Sequence, residues 1–355
     1  VSDVRLILGD CMDVLPTLES GSVDAVVTDP PAGIGFMGKE WDDFRRSRNA
    51  NDTERDNQFG RLSAHGPEYA RRDRDTFVAF LSAVMRECFR LLKPAHYGLV
   101  WAIPRTSHWT ALALEEAGFE IRDRISHLFG TGFPKGKGCL KPACEDWWLV
   151  RKPGKGVLPL GIDECRIAVG DDEYAKNCSG DRGHASNRTR NAGFKIGCGR
   201  SSEGGRWPAN VTHDGSDEVV VAFAEYGEKP GMSCGALNRG STTGTSIGGH
   251  GRYGKATPQS VTADRFFYCA KASRSDRGEG NTHPTVKNTA LMEWLIKLVA
   301  REGEAVLDPF LGSGSTAVAC AKSGRKCIGV EKEAEYHAIA ERRIAAARAE
   351  KPLFA

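Results

Sequence analysis

Apolar residues along the chain fall into short, nearly continuous runs that alternate with stripes at helical spacing. Val4–Leu8 reads as an apolar strand ending at Gly9 and Asp10, a short helix follows over 12–18, and a second strand covers 23–28. Strands of this kind joined through a helix imply a parallel sheet with a right-handed crossover. Phe77, Phe80, Leu81, Val84, Cys88, Leu91 and Leu92 recur at helical spacing, and Pro94 ends that pattern. Strands at 98–103, 120–128 and 147–150, with a helix at 109–117, continue the alternation to about residue 152. Regular patterning returns at 265–270. A helix at 289–300, a strand at 305–307, a helix after Gly314, a strand at 326–330 and a closing helix at 333–349 follow. The pattern predicts an α/β fold with a mostly parallel twisted sheet and helices on both faces.

Two stretches interrupt it. Residues 33–75 are polar and weakly periodic, and read as a long loop inside the first part of the α/β domain, residues 1–152. Residues 153–258 are dominated by Gly, Ser, Asn and Arg, with only 209–213 and 219–224 patterned, and read as an inserted loop-rich region before the second α/β part, 259–355. The net charge of +3 does not by itself announce a nucleic-acid binder. Its distribution does more, because arginines concentrate in both interruptions, Arg45 and Arg46 in the first and Arg188, Arg190 and Arg206 in the second. Such runs also fit an ordinary solvated surface.

Composition narrows the class. With 40% hydrophobic and 27% charged residues and no apolar run near the roughly 20 residues a bilayer span needs, no membrane partner is expected. No secretory leader pattern is visible, so a cytoplasmic location, in a bacterium or a phage-infected host cell, is the expectation. The 11 cysteines show no regular framework. Cys139, Cys144, Cys165, Cys178, Cys198 and Cys234 form no Cys-x-x-Cys pair, so no metal site is expected.

Two segments carry the chemistry. Asp308, Pro309, Phe310, Leu311, Gly312, Ser313, Gly314, Ser315 and Thr316 run from a buried strand through a glycine-rich turn into a helix. Such a turn suits a dinucleotide as well, but Glu331 ends the next strand, where a carboxylate can accept both hydroxyls of a ribose. Asp29, Pro30, Pro31 and Ala32 close the strand at 23–28, at the edge of the sheet where open α/β folds bind ligands. An exocyclic base amine is a poor nucleophile because its lone pair is delocalised into the ring. Asp29 and the Pro30 carbonyl are suited to accept its two hydrogens and turn the lone pair toward an electrophile. Asp-Pro-Pro alone also fits a rigid turn.

Together these segments resemble the motifs of the N6-adenine and N4-cytosine DNA methyltransferases, in the permuted order with the catalytic motif first. The resemblance covers nearly the whole chain. It implies a Rossmann-like S-adenosylmethionine-dependent methyltransferase fold with a target-recognition module at 153–258, duplex DNA as partner and base flipping before transfer. By the same resemblance Asp10 and Cys11 lie at the adenine ring of the cofactor, and His283, Thr285 and Lys287 line its methionine end, where Lys287 neutralises a carboxylate. Asp29, Asp308, Phe310, Gly312, Ser313, Gly314, Thr316 and Glu331 complete the cofactor set. Segments 133–141, 205–211 and 266–272 resemble methylases of phage and prophage origin. An Asp at the first catalytic position leans toward adenine N6, with N4-cytosine the alternative.

The chain departs from the pattern at Ala32, where the family has an aromatic residue that stacks on the flipped base. Binding of cofactor and DNA with slow methylation is therefore the expectation, and a catalytically silent DNA-binding protein is the alternative. Asn288 replaces a usual proline and Ser315 a usual threonine. Lys39, Trp41, Arg45, Arg46, Arg188, Arg190, Arg206 and Trp207 are the candidate DNA contacts. A homodimer and a cognate restriction enzyme are further partners that the resemblance suggests.

Overall fold

The computed structural model describes residues 3–34, 42, 67–130, 132, 140–167, 206–225, 229–230, 260–261, 267–270, 276, 278 and 280–349. Among them eleven strands and seven α-helices follow the predicted alternation. The first half contains β1 (Val4–Leu8), α1 (Cys11–Val14), β2 (Val23–Thr28), α2 (Pro67–Leu91), β3 (Leu92–Ala102), α3 (Ser107–Glu116), β4 (Glu120–Leu128) and β5 (Cys144–Arg151). Then come β6 (Val211–His213), α4 (Asp217–Ala224), β7 (Lys229–Pro230), β8 (Ser260–Val261), β9 (Tyr268–Cys269), α5 (Thr289–Val299), β10 (Ala305–Asp308), α6 (Ser315–Ser323), β11 (Lys326–Glu331) and α7 (Ala334–Ala349).

Nine strands form one sheet in the order β1-β11-β10-β2-β3-β5-β4-β6-β9, while β7 and β8 pair separately. Every neighbouring pair in the large sheet is parallel except those made by β5, which runs against both β3 and β4. All six residues of β2 are buried, as expected for a central strand covered on both faces. Side chains of β2 alternate between two cores from Ala25 onward, after the ladder shifts register between Val23 and Ala25. Ala25 and Val27 pack with α5, α6 and α7, whereas Val23 and Val26 pack with α1, α2 and α3.

The opposite placement of the helices follows from handedness. From β10 the chain crosses through α6 to β11 on one side, and from β2 through α2 to β3 on the other, and right-handed crossovers in opposite directions put their helices on opposite faces. The strand order therefore reverses between β10 and β2, the place where open sheets leave a crevice at their carboxyl ends. Thr28 Oγ1 donates to Asp308 Oδ1 at 2.7 Å and stitches the two sides of that crevice together.

Several boundaries differ from the sequence reading, two of them with a clear physical reason. Helix α2 begins at Pro67, inside the stretch expected to be loop, because its first turns lack the apolar stripe that marks the rest. Pro94 lies within β3 rather than beyond a helix end. Pairing shifts from Val23↔Leu92 to Ala25↔Tyr97, so residues 93–96 bulge out of the ladder, with Ala95 at φ 67°, and Pro94 needs no ladder donor there. The Lys152 ammonium takes the carbonyls of Phe89 and Leu92, both at 2.7 Å, where α2 gives way to the strand. From the region read as an insertion, β6 joins the large sheet beside β4, and Cys165 is buried against Trp294 of α5.

Candidate active site

Four adjacent parallel strands, β1, β11, β10 and β2, each lead at their carboxyl ends to an acid: Asp10, Glu331, Asp308 and Asp29. All four line one cavity of about 1090 Å³. Parallel pairing brings them to one edge, which alternating strand directions cannot do.

The glycine turn is built for close approach. Gly312 and Gly314 have φ of 56° and 85°, and a Cβ on Gly312 would lie 2.9 Å from His283 Nε2. The turn is held from below by Arg343 of α7, whose guanidinium donates to the Ser313 carbonyl at 2.6 Å and the Ser315 hydroxyl at 3.3 Å. Glu331 accepts the Gly312 N–H at 2.7 Å through one oxygen and the Glu333 N–H at 2.8 Å through the other. Each oxygen retains acceptor capacity for a ligand hydroxyl. Burial, opposed by these two N–H groups, raises the Glu331 carboxyl above its ordinary range. His283 Nδ1 lies 2.8 Å from the Thr285 carbonyl, and its ring meets Tyr336 edge-on at 4.6 Å.

Asp10 caps α1 by accepting the Met12 N–H at 3.0 Å and pairs with Lys332 at 3.1 Å. Burial alone would raise its carboxyl, but that N–H and the ammonium hold it below its ordinary value. Burial pushes the neighbouring Cys11 thiol up to about 12, so it stays protonated. Asp308 is almost fully buried, and burial lifts its carboxyl to about 6 against hydrogen bonds from Thr316, Thr28 and the Phe310 N–H.

At Asp29 burial likewise raises the carboxyl to about 6, opposed by the Lys287 ammonium and reinforced by the negative charges of Glu145 and Asp42. Lys287 Nζ lies 3.2 Å from Asp29 Oδ2, 3.5 Å from Glu145 Oε2 and 3.6 Å from the centre of the Trp101 ring. The backbone after the proline pair is clamped. Thr106 Oγ1 donates to the Ala32 carbonyl at 2.8 Å, and the fully buried Asp42 accepts the N–H groups of Gly33 at 2.7 Å and Ile34 at 3.3 Å. Ala32 itself lines the cavity with a methyl group only.

Every residue expected in the catalytic and cofactor sets lines this cavity except Gly314, which turns the chain behind it and would press a Cβ to 2.8 Å from Ala340. Lys39, Trp41, Arg45, Arg46, Arg188 and Arg190 lie outside the described residues. Arg206 pairs its backbone with Ile167, and Trp207 is 63% exposed beneath the Arg166 guanidinium, 5.5 Å from the ring centre. Sequence reasoning missed Glu145, Trp101, Asp42, Thr106 and Arg343. Only Glu145 carried a signal, as an acid at the mouth of an apolar strand run.

The chain matches the DNA methylase family over residues 23–342. It is 45% identical over 64 residues, 18% of this chain, to the type II methyltransferase M2.DpnII of Streptococcus pneumoniae, covering 24% of that protein. It is also 45% identical over 64 residues to the putative methylase YubD of Escherichia coli strain K12, covering 28% of it. The chain thus spans about a quarter of the length of these curated relatives. Among solved structures, the cytosine-N4-specific PvuII DNA methyltransferase aligns over 97% of this chain and 86% of its own at TM-score 0.51 and 14% identity, a likeness of fold. With nine tenths of its length matched and the two motif-bearing strand ends meeting in one cavity, this chain belongs to the N6/N4 DNA methylase family.

Proposed function

We propose that this protein transfers a methyl group from S-adenosylmethionine to the exocyclic amine of a base turned out of duplex DNA, with adenine N6 the preferred target. The observation that carries the reading is the convergence of Asp29, Asp308 and Glu331 on one cavity beside the glycine turn. The residues fit the cofactor. Glu331 is oriented by two backbone N–H groups to receive ribose hydroxyls, the absence of a side chain at Gly312 leaves room beside His283, and Asp29 with Asp308 offers negative charge to a cation.

When bound, the cofactor supplies an activated methyl group on a positively charged sulfur, so the protein's task is positioning. Asp29, once ionised, accepts one amine hydrogen and the Pro30 carbonyl the other, which turns the nitrogen lone pair toward the methyl carbon. Glu331 and the glycine turn would hold the cofactor with its methyl group, the group it would supply, facing the amine, and Asp29 would take the proton that the methylated amine gives up. Thr106 and Asp42 keep the loop that presents the Pro30 carbonyl in place.

Ala32 favours a second reading, a protein that binds cofactor and DNA but turns over slowly or not at all, because no aromatic ring at this position stacks on the base. Transfer of radiolabelled methyl to adenine–thymine duplexes and to cytosine–hypoxanthine duplexes, in each of which one base alone carries an exocyclic amine, alongside RNA and protein, tests both. Label in adenine duplexes supports the main reading. Cofactor binding with no label in any substrate supports the silent alternative.

A further inference from the structure

Lys287 is set between two carboxylates rather than in solvent. Its side chain is only 12% exposed, with the ammonium on the face of Trp101, 3.2 Å from Asp29 and 3.5 Å from Glu145. Three different elements supply these partners: Trp101 from β3, Glu145 from β5 and Asp29 from the end of β2. A group meant for a cofactor carboxylate alone needs neither the second acid nor the ring. A cation caged by a ring and an acid is instead fixed in position, so its charge acts on Asp29 from a constant direction.

We propose that Lys287, caged by Trp101 and Glu145, is a positioning residue that holds the Asp29 carboxylate ionised and oriented to accept the target amine hydrogen. This rests on the reading of Asp29 as the amine acceptor. The other charges facing the pair are Glu145 on β5, Asp308 at the end of β10 and Asp42, all of which push the Asp29 carboxyl upward, and His127 on β4, which lies in the field of Glu145 and Lys287. Among the described residues Lys287 is the cation in contact with Asp29. Burial already lifts this carboxyl to about 6, so without the ammonium a substantial fraction stays protonated near neutrality and donates where it must accept.

The two members of the cage have opposite expected effects. Lys287→Met removes an opposing charge, which at this distance moves a carboxyl by about 1 to 3, so the Asp29 titration rises. Glu145→Gln removes a like charge, so it falls. A merely structural role predicts no such opposition. The Asp29 carboxyl is followed by carbon NMR on labelled protein, assigned through Asp29→Asn, with single-turnover methyl transfer measured from pH 5 to 9 and cofactor affinity by calorimetry. The expected results are an upward movement of at least about 1 in Lys287→Met, a downward movement in Glu145→Gln, and return toward the native value in Lys287→Arg. Transfer by Lys287→Met at pH 6.5 falls roughly tenfold, and the loss shrinks as pH is raised. An Asp29 midpoint within about 0.3 of the native one in Lys287→Met overturns the proposal, whatever cofactor affinity does. Full methyl transfer by Asp29→Asn would instead overturn the amine-acceptor reading, and leaves the NMR comparison standing.

Discussion

Replacing Asp308 by asparagine should make the protein more stable relative to the parent as pH rises. The carboxyl is buried and lifted from its ordinary 3.8 to about 6. A raised acid favours the protonated folded state, so its stabilisation is fully present below 3.8 and lost as pH climbs through about 6. The whole interval corresponds to about 3 kcal/mol, of which about 1.4 kcal/mol falls between pH 5 and 7.5. Asparagine keeps an acceptor for Thr28 Oγ1 and the Phe310 N–H, 2.7 and 3.1 Å away, and carries no charge to desolvate. Asp29 titrates in the same window in both proteins and cancels, apart from Asp308's repulsion of it, whose removal acts in the same direction. The assay is urea unfolding of the cofactor-free parent and Asp308→Asn at both pH values. The stability difference should move by about 1.4 kcal/mol in favour of asparagine. A difference that is the same at pH 5 and 7.5 means Asp308 titrates as an ordinary acid, and the desolvation argument is wrong.

Ala32→Tyr should raise productive base binding roughly ten- to a hundredfold through stacking, leaving cofactor affinity unchanged; equal single-turnover rates for the two proteins would remove Ala32 from the explanation of slow turnover. Gly314→Ala combines φ of 85° with a Cβ 2.8 Å from Ala340 of α7, so about 2 to 3 kcal/mol of stability should be lost in denaturant unfolding, and a loss under 0.5 would show that α7 yields easily. Asn288 accepts the Ala290 and Leu291 N–H groups at the start of α5 and donates to the Ala270 carbonyl, so Asn288→Ala should cost about 1 to 2 kcal/mol by thermal unfolding, against none if the cap is idle.

The fold was legible wherever burial imposed a period. The continuous apolar run of β2 and the stripe on the later turns of α2 translated directly into a central strand and a packed helix. The first turns of α2 and the bulge at Pro94 were not, because a polar stretch carries no apolar stripe and a bulge depends on the partner strand. In the site, Asp29 and Glu331 were readable as acids at strand ends and Asp308 through the glycine-rich segment and the family resemblance, and all three line the one cavity. Glu145 and Asp42 act through contacts made only after folding, and Lys287 carried a motif but not its partner: nothing local says that a lysine near 287 meets an acid at 29.

The Thr28–Asp308 hydrogen bond joins residues 280 positions apart. At ordinary translation rates of 5 to 20 residues per second, β2 waits roughly 14 to 56 s for β10 to be made. Strands β2, β3, β5 and β4 can assemble early, but the β2 edge that later receives β10 stays open, and β1 has no neighbour until β11 arrives. A long-range closure of this kind slows folding and leaves a sticky edge for the interval. The pocket is therefore complete only after β10 and β11 have joined the sheet, so ligand binding during synthesis counts only chains whose sheet has closed.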